Sequence, residues 1–239
     1  MNLDYLYESN KNSNTSSTAV IVLPEIFGLT DFITSITDKF AEQFGVSAYA
    51  LDFFYQLNHT ANKFNYETDM QKGIELMQQM KGEDFLSIFN NAIEKIISTY
   101  PNITSFTVCG FCFGGRLAYL SGLNDKVEKI ISFYGAGANQ PNYINGNSCI
   151  GALSAKRSND SKLSILSLYG GRDDSIPVED RDKTKDSLVK SGIDYQEVVY
   201  EQTGHAFFNN HRPQVYNASA ATDAWNKVAE YINDSNDKR

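Results

Sequence analysis

The stretch Gly110-Phe111-Cys112-Phe113-Gly114-Gly115 decides the fold of this chain. It follows a predicted strand, Ser105–Cys109, and opens a predicted helix of small residues, Gly114–Leu123. A cysteine flanked by glycines two residues away on each side is typical of a sharp strand-to-helix turn that presents a nucleophile, with Cys in place of Ser. The glycines are needed because a side chain at either position would collide with neighbouring backbone. Cys112 is therefore the candidate nucleophile, and the start of the helix would stabilise its thiolate.

Strands and helices alternate along the rest of the chain, which predicts an α/β fold with a mostly parallel central sheet and helices on both faces. The first strand fits an antiparallel start, and Ala19–Leu23 fits a buried central strand. The predicted strands are Leu3–Glu8, Ala19–Leu23, Val46–Leu51, Ser105–Cys109, Lys129–Tyr134, Leu163–Tyr169 and Tyr195–Tyr200. The predicted helices are Thr30–Phe44, Thr68–Met80, Asp84–Tyr100, Gly114–Leu123, Val178–Lys190 and Val215–Ile232.

Two segments lack such a pattern. Phe53–Tyr66 is irregular and carries His59, and Gly135–Asp160 is rich in Gly, Asn and Ser and is expected to form a long excursion. Neither is a linker that would split the chain, and no repeat is present. The 239 residues therefore predict a single domain spanning 1–239.

Composition excludes several classes of function. A net charge of −8 argues against a nucleic-acid or anionic-membrane partner, and the longest apolar run, Ala19–Leu23, is far too short to span a bilayer. Cys109, Cys112 and Cys149 make neither a disulfide framework nor a zinc site, so no metal is expected. The opening MNLDYLYESN is not a secretory signal, which favours the cytoplasm.

A cysteine nucleophile needs a base, and the base needs an orienting carboxylate. The chain has three histidines, His59, His205 and His211. His205 is the candidate base because it lies beside Gly204 in the loop that follows a predicted strand, which suits an imidazole that reaches across the sheet edge. The carboxylate is expected in Gly170-Gly171-Arg172-Asp173-Asp174, which follows another strand. One of its two Asp residues is placed to bond the imidazole, and the other is a turn or capping residue.

Pro24-Glu25-Ile26 follows the predicted central strand and would also lie at the edge where parallel strands end. The backbone N–H of Ile26 could pair with that of Phe113 to form an oxyanion hole. Glu25 is either a member of the site or an exposed loop carboxylate. Cys112 likewise has a second interpretation, a small buried residue in a tight turn, and Cys109 is expected in the core.

Taken together, these pieces resemble the dienelactone hydrolase family of α/β-hydrolases. Four segments carry the resemblance: LPEIFGL at Leu23–Leu29, GFCFGG at Gly110–Gly115, GGRDDSIP at Gly170–Pro177 and GHAFFNNHRPQVYNASAATDAW at Gly204–Trp225. The resemblance implies the α/β-hydrolase fold and assigns the triad carboxylate to Asp173. It also implies that Glu25 lies beside the resting thiol and takes part in its activation.

The chain departs from that family at the arginines that hold a substrate carboxylate. One of these is expected in the helix after Val46–Leu51, where only Lys72 is available, and another four residues after His205, where Asn209 stands. Arg212 resembles the arginine of broader family members, although a structural or solvent-facing role fits it equally well. Lys72, Asn209 and Arg212 are thus candidate substrate contacts, and an uncharged ester is expected to react at least as well as an anionic lactone.

The resulting hypothesis is a hydrolase of small esters or lactones. Cys112 would attack the carbonyl to form an acyl-cysteine, His205 aligned by Asp173 would move protons, and no organic cofactor is needed. Two other hypotheses keep the same fold: a ligand-binding protein that has lost turnover, and a redox-sensing protein that uses an oxidisable thiolate. The pattern does not define an oligomeric state.

Overall fold

A computed structural model describes residues 5–9, 16–58, 63–160 and 162–234 of the chain. Its strands are β1 Leu6–Glu8, β2 Thr18–Leu23, β3 Ser47–Leu51, β4 Ser105–Phe111, β5 Val127–Phe133, β6 Ser164–Gly170 and β7 Asp194–Tyr200. Its helices are α1 Asp31–Phe44, α2 Tyr55–Asn58, α3 Met70–Gln79, α4 Gly82–Thr99, α5 Phe113–Ser121, α6 Cys149–Lys156, α7 Val178–Lys190 and α8 Ala218–Asn233. The predicted alternation is confirmed. His59, Leu3 and Asp4 lie outside the described residues.

The described strands form one seven-stranded sheet in the order β1-β3-β2-β4-β5-β6-β7. Only β1 runs antiparallel to its neighbour, with Leu6 opposite Leu51, and the other pairings are parallel. The mostly parallel sheet with an antiparallel start is therefore as the sequence predicted. The parallel strands end along one edge, so the segments that follow β2, β4, β6 and β7 meet there.

The apolar run of β2 supplies both faces of the sheet because neighbouring side chains of a strand point in opposite directions. Ile21 packs into the core that includes Phe85 and Phe89 of α4. Val20 and Val22 pack on the other face with Phe32 of α1 and other side chains. Helices thus cover both faces, which explains why β2 reads as a continuous hydrophobic segment.

Two helices were not expected from the sequence. The excursion Gly135–Asp160 contains α6, whose N-cap Ser148 accepts a hydrogen bond from the Gly151 N–H at 2.9 Å. The irregular segment Phe53–Tyr66 contains the single-turn α2. Both helices are short, and α6 is stabilised by burying Cys149, Ile150 and Leu153 rather than by an extended periodic pattern.

The boundaries of several predicted elements also shift, two of them close to the turn at Cys112 or to the excursion. β4 extends to Phe111, one residue before Cys112, and α4 begins at Gly82 rather than two residues later. A Cβ atom at Gly82 would lie 2.9 Å from Cβ of Ile144, so this end of α4 packs directly against the excursion. No helix among the described residues has the length and apolar character that crossing a membrane requires.

Candidate active site

The predicted sharp turn is present between β4 and α5, and Cys112 lies at its apex. The residue has φ 55° and ψ −116°, a backbone conformation that non-glycine residues rarely adopt. A Cβ atom on Gly110 would lie 2.1 Å from the Gly114 carbonyl oxygen, and one on Gly114 would lie 2.3 Å from that of Leu23. Both flanking positions therefore accept only glycine. Cys112 is the N-cap of α5, so its side chain stands at the positive end of that helix.

The loops after β6 and β7 bring an imidazole to this turn. His205 Nδ1 donates a hydrogen bond to Oδ2 of Asp173 at 2.7 Å, and the Asp173 side chain is completely buried. The other carboxylate oxygen of Asp173 accepts a hydrogen bond from the Ser175 N–H at 2.9 Å. Asp174 is exposed to solvent. Of the two adjacent carboxylates, the structure therefore pairs Asp173 with the imidazole.

His205 also hydrogen-bonds to the side chain of Cys112. Burial opposes the charged imidazolium and lowers the pKa of His205, but the negative charge of the Cys112 thiolate and the hydrogen bond to Asp173 outweigh it and raise that pKa to about 11. The arrangement thus favours the protonated form of His205, which lies between Cys112 and Asp173. Tyr134, which also has a positive φ of 41°, packs edge-on against His205 with 5.2 Å between ring centroids.

Glu25 is brought to the same edge by the end of β2 and is 1% exposed. Its Oε2 accepts a hydrogen bond from Nδ2 of Asn209 at 2.8 Å, while Oε1 has no hydrogen-bond partner among the described residues. Burial raises the pKa of this carboxyl, whereas the charge of Arg212, the Asn209 amide and the charge of His205 act in the opposite direction. Glu25 is therefore a member of a buried polar cluster.

The same cluster contains Asn209, Tyr66 and Arg212. The Nδ2 atom of Asn209 also lies 3.1 Å from the Tyr66 hydroxyl, which in turn bonds the Thr30 hydroxyl at 2.9 Å. The Arg212 guanidinium lies over the rings of Phe27 and Tyr66, 5.6 Å from each centroid. The side chain of Asn209 is thus engaged with Glu25 and Tyr66, and Arg212 is a half-buried cation facing them.

These groups open into a cavity of about 420 Å³, which is large enough for a small organic substrate. Its lining includes Glu25, Ile26, Phe27, Cys112, His205 and Arg212. Helix α3 covers it with Met70, Ile74 and Met77. The helix approaches so closely that a Cβ atom on Gly73 would lie 2.7 Å from the Ile26 carbonyl oxygen.

Lys72 does not line this cavity. It lies on the outer side of α3, where Nζ forms an ion pair with Asp69 at 3.0 Å and the side chain is two-thirds exposed. The side chains of α3 that reach the cavity are three and four residues apart and apolar, as expected for one helix face. The resemblance implied a substrate contact on this helix, but the sequence could not establish which face of the helix turns inward.

Of the two expected oxyanion-hole residues, one is next to Cys112 in the chain and the other lines the same cavity. Phe113 is the first residue of α5, so its N–H is one of the amides that helix geometry leaves without an intrahelical partner. Ile26 follows β2 and lines the cavity. The Gly114 N–H donates to the Pro24 carbonyl at 3.1 Å, which ties the two segments together. A metal site is not apparent: within the described ranges, no three His, Cys, Asp or Glu side chains are grouped to bind an ion.

Sequence reasoning missed several contributors to the site, among them Tyr66, the apolar residues of α3, Arg116 and Tyr134. Arg116 lines the cavity although nothing in the sequence argument gave it a role. Its position four residues after Cys112 was the available signal, because such residues share a helix face. Tyr134 had no comparable signal, since its contact with His205 depends on how β5 and β7 end.

Comparison with known proteins places this geometry in context. The chain matches the family model of the dienelactone hydrolase family over residues 4–235. A protein of Synechocystis sp., provisionally named carboxymethylenebutenolidase, is 31% identical over 214 residues, which cover 88% of this chain and 83% of the relative. A crystal structure of a provisionally assigned dienelactone hydrolase from Klebsiella pneumoniae superposes with a TM-score of 0.80 at 22% identity, covering 96% and 92% of the two chains.

A more distant solved structure has the same fold. It is the dienelactone hydrolase-like promiscuous phosphotriesterase P91 from metagenomic libraries, with a TM-score of 0.65 at 18% identity, covering 90% of this chain and 84% of that one. At such identities the structural matches establish the α/β-hydrolase type of fold, and no more than that.

Proposed function

Since this chain belongs to the dienelactone hydrolase family of hydrolases, we propose that it cleaves small esters or lactones with Cys112 as the nucleophile. The observation that carries the proposal is the continuous chain of contacts from Asp173 through His205 to Cys112, which ends at the strained turn inside the cavity. A nucleophile, a base and an orienting carboxylate in that relation are what acyl transfer requires.

In the proposed reaction, the Cys112 thiolate attacks the substrate carbonyl, and the N–H groups of Ile26 and Phe113 stabilise the oxyanion. The His205 imidazolium then gives its proton to the leaving alcohol as the C–O bond breaks, which leaves an acyl-cysteine and a neutral imidazole. His205 next removes a proton from water, and the resulting hydroxide attacks the thioester. That proton transfer re-forms the imidazolium, and collapse of the tetrahedral intermediate then breaks the C–S bond, expels the Cys112 thiolate and releases the acid.

Asp173 keeps the imidazole in the required orientation throughout, because its own two oxygens are fixed by His205 and by the Ser175 N–H. Glu25 has a different place. It is held by Asn209, and its charge interacts with those of His205 and Arg212. We assign it an accessory role in the charge balance of the site. Changes in the ionisation of Glu25 would shift the balance between the imidazolium–thiolate pair and its neutral form.

The size and lining of the cavity define the substrate class. A volume of about 420 Å³ suits a molecule of small-ester or lactone size, and Met70, Ile74 and Met77 provide an apolar wall for its carbon skeleton. The name of the Synechocystis relative adds an unsaturated lactone to the candidate substrates. A cytoplasmic location is part of the same proposal, supported by the three free cysteines.

The test is a survey of hydrolysis over 4-nitrophenyl acetate, 4-nitrophenyl butyrate, dihydrocoumarin and a short acyl thioester. The wild-type protein is expected to turn over at least one ester or lactone, and Cys112→Ala to lower kcat/KM by several orders of magnitude. Mass spectrometry of the rapidly quenched reaction is expected to find the acyl group on Cys112. Equal activity of wild type and Cys112→Ala would rule out the nucleophile assignment.

The same survey separates the competing hypotheses. A protein that binds these esters without turning over any of them would be a binding protein. A protein with no turnover, whose Cys112 is converted to a sulfenic acid by mild peroxide, would be a thiol sensor.

A further inference from the structure

Helix α3 lies across the cavity and is tied to the rest of the protein at both ends. Before the helix, the Tyr66 hydroxyl lies 3.1 Å from Nδ2 of Asn209. After it, the Met80 carbonyl accepts a hydrogen bond from the Tyr143 hydroxyl at 3.2 Å. Between these two ties, one apolar face of α3 lines the cavity and forms what we call its ceiling: Met70, Ile74 and Met77.

The middle of α3 packs on the rest of the protein through a glycine. Within α3, Gly73 is the residue that is buried. A Cβ atom on Gly73 would lie 2.7 Å from the Ile26 carbonyl oxygen and 3.1 and 3.2 Å from Cγ1 and Cβ of the same residue. The backbone of α3 is therefore in direct contact with Ile26, and the missing side chain at Gly73 determines how close the helix lies to the cavity floor.

Ile26 is the better anchored side of this contact. It is 6% exposed, and the residues around it are fixed by backbone hydrogen bonds. The Pro24 carbonyl accepts from the Gly114 N–H at 3.1 Å, and the Glu25 carbonyl accepts from the Gly28 N–H at 3.2 Å. The side chains of α3, in contrast, are exposed or half-buried. A larger residue at the contact would therefore move α3 outward rather than displace Ile26.

The ceiling and the catalytic groups line one cavity but differ in chemistry. Cys112 and His205 supply polar, reactive groups, whereas the ceiling is aliphatic and two of its three side chains are methionines, which adapt to irregular apolar shapes. An aliphatic chain gains free energy when it leaves water for such a surface. A substrate whose ester lies at Cys112 would thus place an uncharged hydrocarbon chain under α3.

We propose that Gly73 is a positioning residue that sets the height of α3 over the cavity, and that α3 thereby limits the length of the aliphatic chain that a substrate carries. The proposal rests on the proposed hydrolase function and narrows its substrate class to esters with short, uncharged aliphatic chains. Gly73 acts through the helix, whereas Ile74 would touch the chain directly.

The experiment measures kcat/KM for two series of esters. The acyl side is tested with 4-nitrophenyl acetate, butanoate, hexanoate and octanoate, and the alcohol side with ethyl, butyl, hexyl and octyl acetate. The deciding quantity is the ratio of the eight-carbon to the four-carbon member. In at least one series we expect this ratio to be below one in the wild type and to rise about tenfold in Gly73→Ala, the effect of a misfitted methylene in an apolar pocket.

Ile74→Ala is the second variant, because it shortens a ceiling side chain without changing the contact between Gly73 and Ile26. It is expected to raise the same ratio. The matched control is Gln78→Ala, which replaces an exposed residue of α3 that does not line the cavity and is expected to keep the wild-type ratio.

The proposal is overturned if the wild type favours the eight-carbon ester in both series, or if the ratio is unchanged in Gly73→Ala. A uniform loss on all esters with an unchanged ratio would show that Ile26 moved instead of α3. A Gly73→Ala protein that does not fold would also contradict the proposal, since α3 could then not move away from Ile26.

A binding measurement separates this proposal from the hydrolase function. Calorimetry compares Cys112→Ala with Cys112→Ala/Gly73→Ala, using pentan-2-one and nonan-2-one as uncharged ligands that cannot be hydrolysed. The double variant is expected to bind nonan-2-one more tightly relative to pentan-2-one, by about the same factor. If the wild type hydrolyses no ester but this shift is found, the hydrolase function fails and the role of Gly73 stands. If esters are hydrolysed but the relative affinity is unchanged, the role of Gly73 fails alone.

Discussion

Asn209 donates a hydrogen bond from Nδ2 to Oε2 of Glu25 at 2.8 Å, and neither residue is more than 1% exposed. The bond connects the end of β2 with the loop after β7, two segments that lie 184 residues apart in the chain. In this structure, an amide rather than a cation is the hydrogen-bond partner of the buried carboxyl. The protonation state of Glu25 is thus set by burial on one side and by Asn209, Arg212 and His205 on the other.

The first prediction concerns this bond. Asn209→Ala removes the donor and leaves Glu25 Oε2 buried without it, a loss of about 1–3 kcal/mol for a buried polar group without a partner. We expect a lower free energy of unfolding in urea and a reduced kcat/KM for neutral esters. Asn209→Asp is expected to be worse than Asn209→Ala, and increasingly so as the pH rises, because two carboxylates would then face each other. Asn210→Ala, at the exposed neighbouring position, is the control, and an equal effect of both alanine variants would contradict the prediction.

The second prediction separates two adjacent carboxylates. Asp173→Asn removes the charge that orients His205 and stabilises its imidazolium, so acylation is expected to slow by several orders of magnitude, as it does on loss of a triad acid. Asp174→Asn changes an exposed side chain and is expected to change the rate by less than about threefold. Single-turnover acylation with 4-nitrophenyl acetate measures both rates. If Asp174→Asn is inactive while Asp173→Asn remains active, the triad carboxylate is Asp174 and the assignment to Asp173 is wrong.

The parts of the site that the sequence predicted are those fixed by local backbone geometry. The glycines around Cys112 are required by contacts of 2.1 to 2.3 Å that any side chain would make, so their spacing alone indicates the turn. Glu25 could be located at the active edge because it follows a strand with a clear apolar run. The α/β class followed from the alternation of strands and helices, which is a property of the whole chain.

The parts that escaped prediction depend on packing between distant segments. The inward face of α3 is determined by the approach of Gly73 to Ile26, and that contact turns Lys72 to solvent. The bond from Asn209 to Glu25 joins segments from opposite ends of the chain.

The third prediction uses the three free thiols as their own controls. Cys109 and Cys149 are fully buried, and burial raises the pKa of Cys109 well above its ordinary value and that of Cys149 to about 11. Cys112 is partly exposed and hydrogen-bonded to His205. Iodoacetamide is therefore expected to label Cys112 first and to abolish hydrolysis in proportion. Peptide mass spectrometry at several time points measures the order, and uniform labelling with full activity would contradict it.

The last prediction concerns Asp52, which follows β3 and is 1% exposed. Its Oδ1 accepts a hydrogen bond from the Phe54 N–H at 3.0 Å, but Oδ2 is buried without a partner among the described residues. Burial raises the pKa of this carboxyl to about 6, although the N–H groups of Phe54 and Tyr55 act against it. The ionised form is thus disfavoured in the folded state, so at neutral pH the charge of Asp52 destabilises the protein.

The sign of the pH effect follows from the proton balance. An unfolded Asp titrates near pH 3.9, so between about pH 4 and about pH 6 the folded protein holds a proton that the unfolded chain has released. The contribution of Asp52 to the free energy of unfolding therefore falls as the pH rises through this window, by about 2–3 kcal/mol at most.

Asp52→Asn cannot lose a proton and keeps an acceptor for the Phe54 N–H. We expect this variant to be more stable than the wild type at about pH 7.5 and to lose most of that advantage at about pH 4.5. Urea unfolding at a series of pH values measures the difference, with Asp174→Asn as the exposed control. An Asp52→Asn protein that is less stable than the wild type at neutral pH would show that the folded state favours the ionised carboxylate.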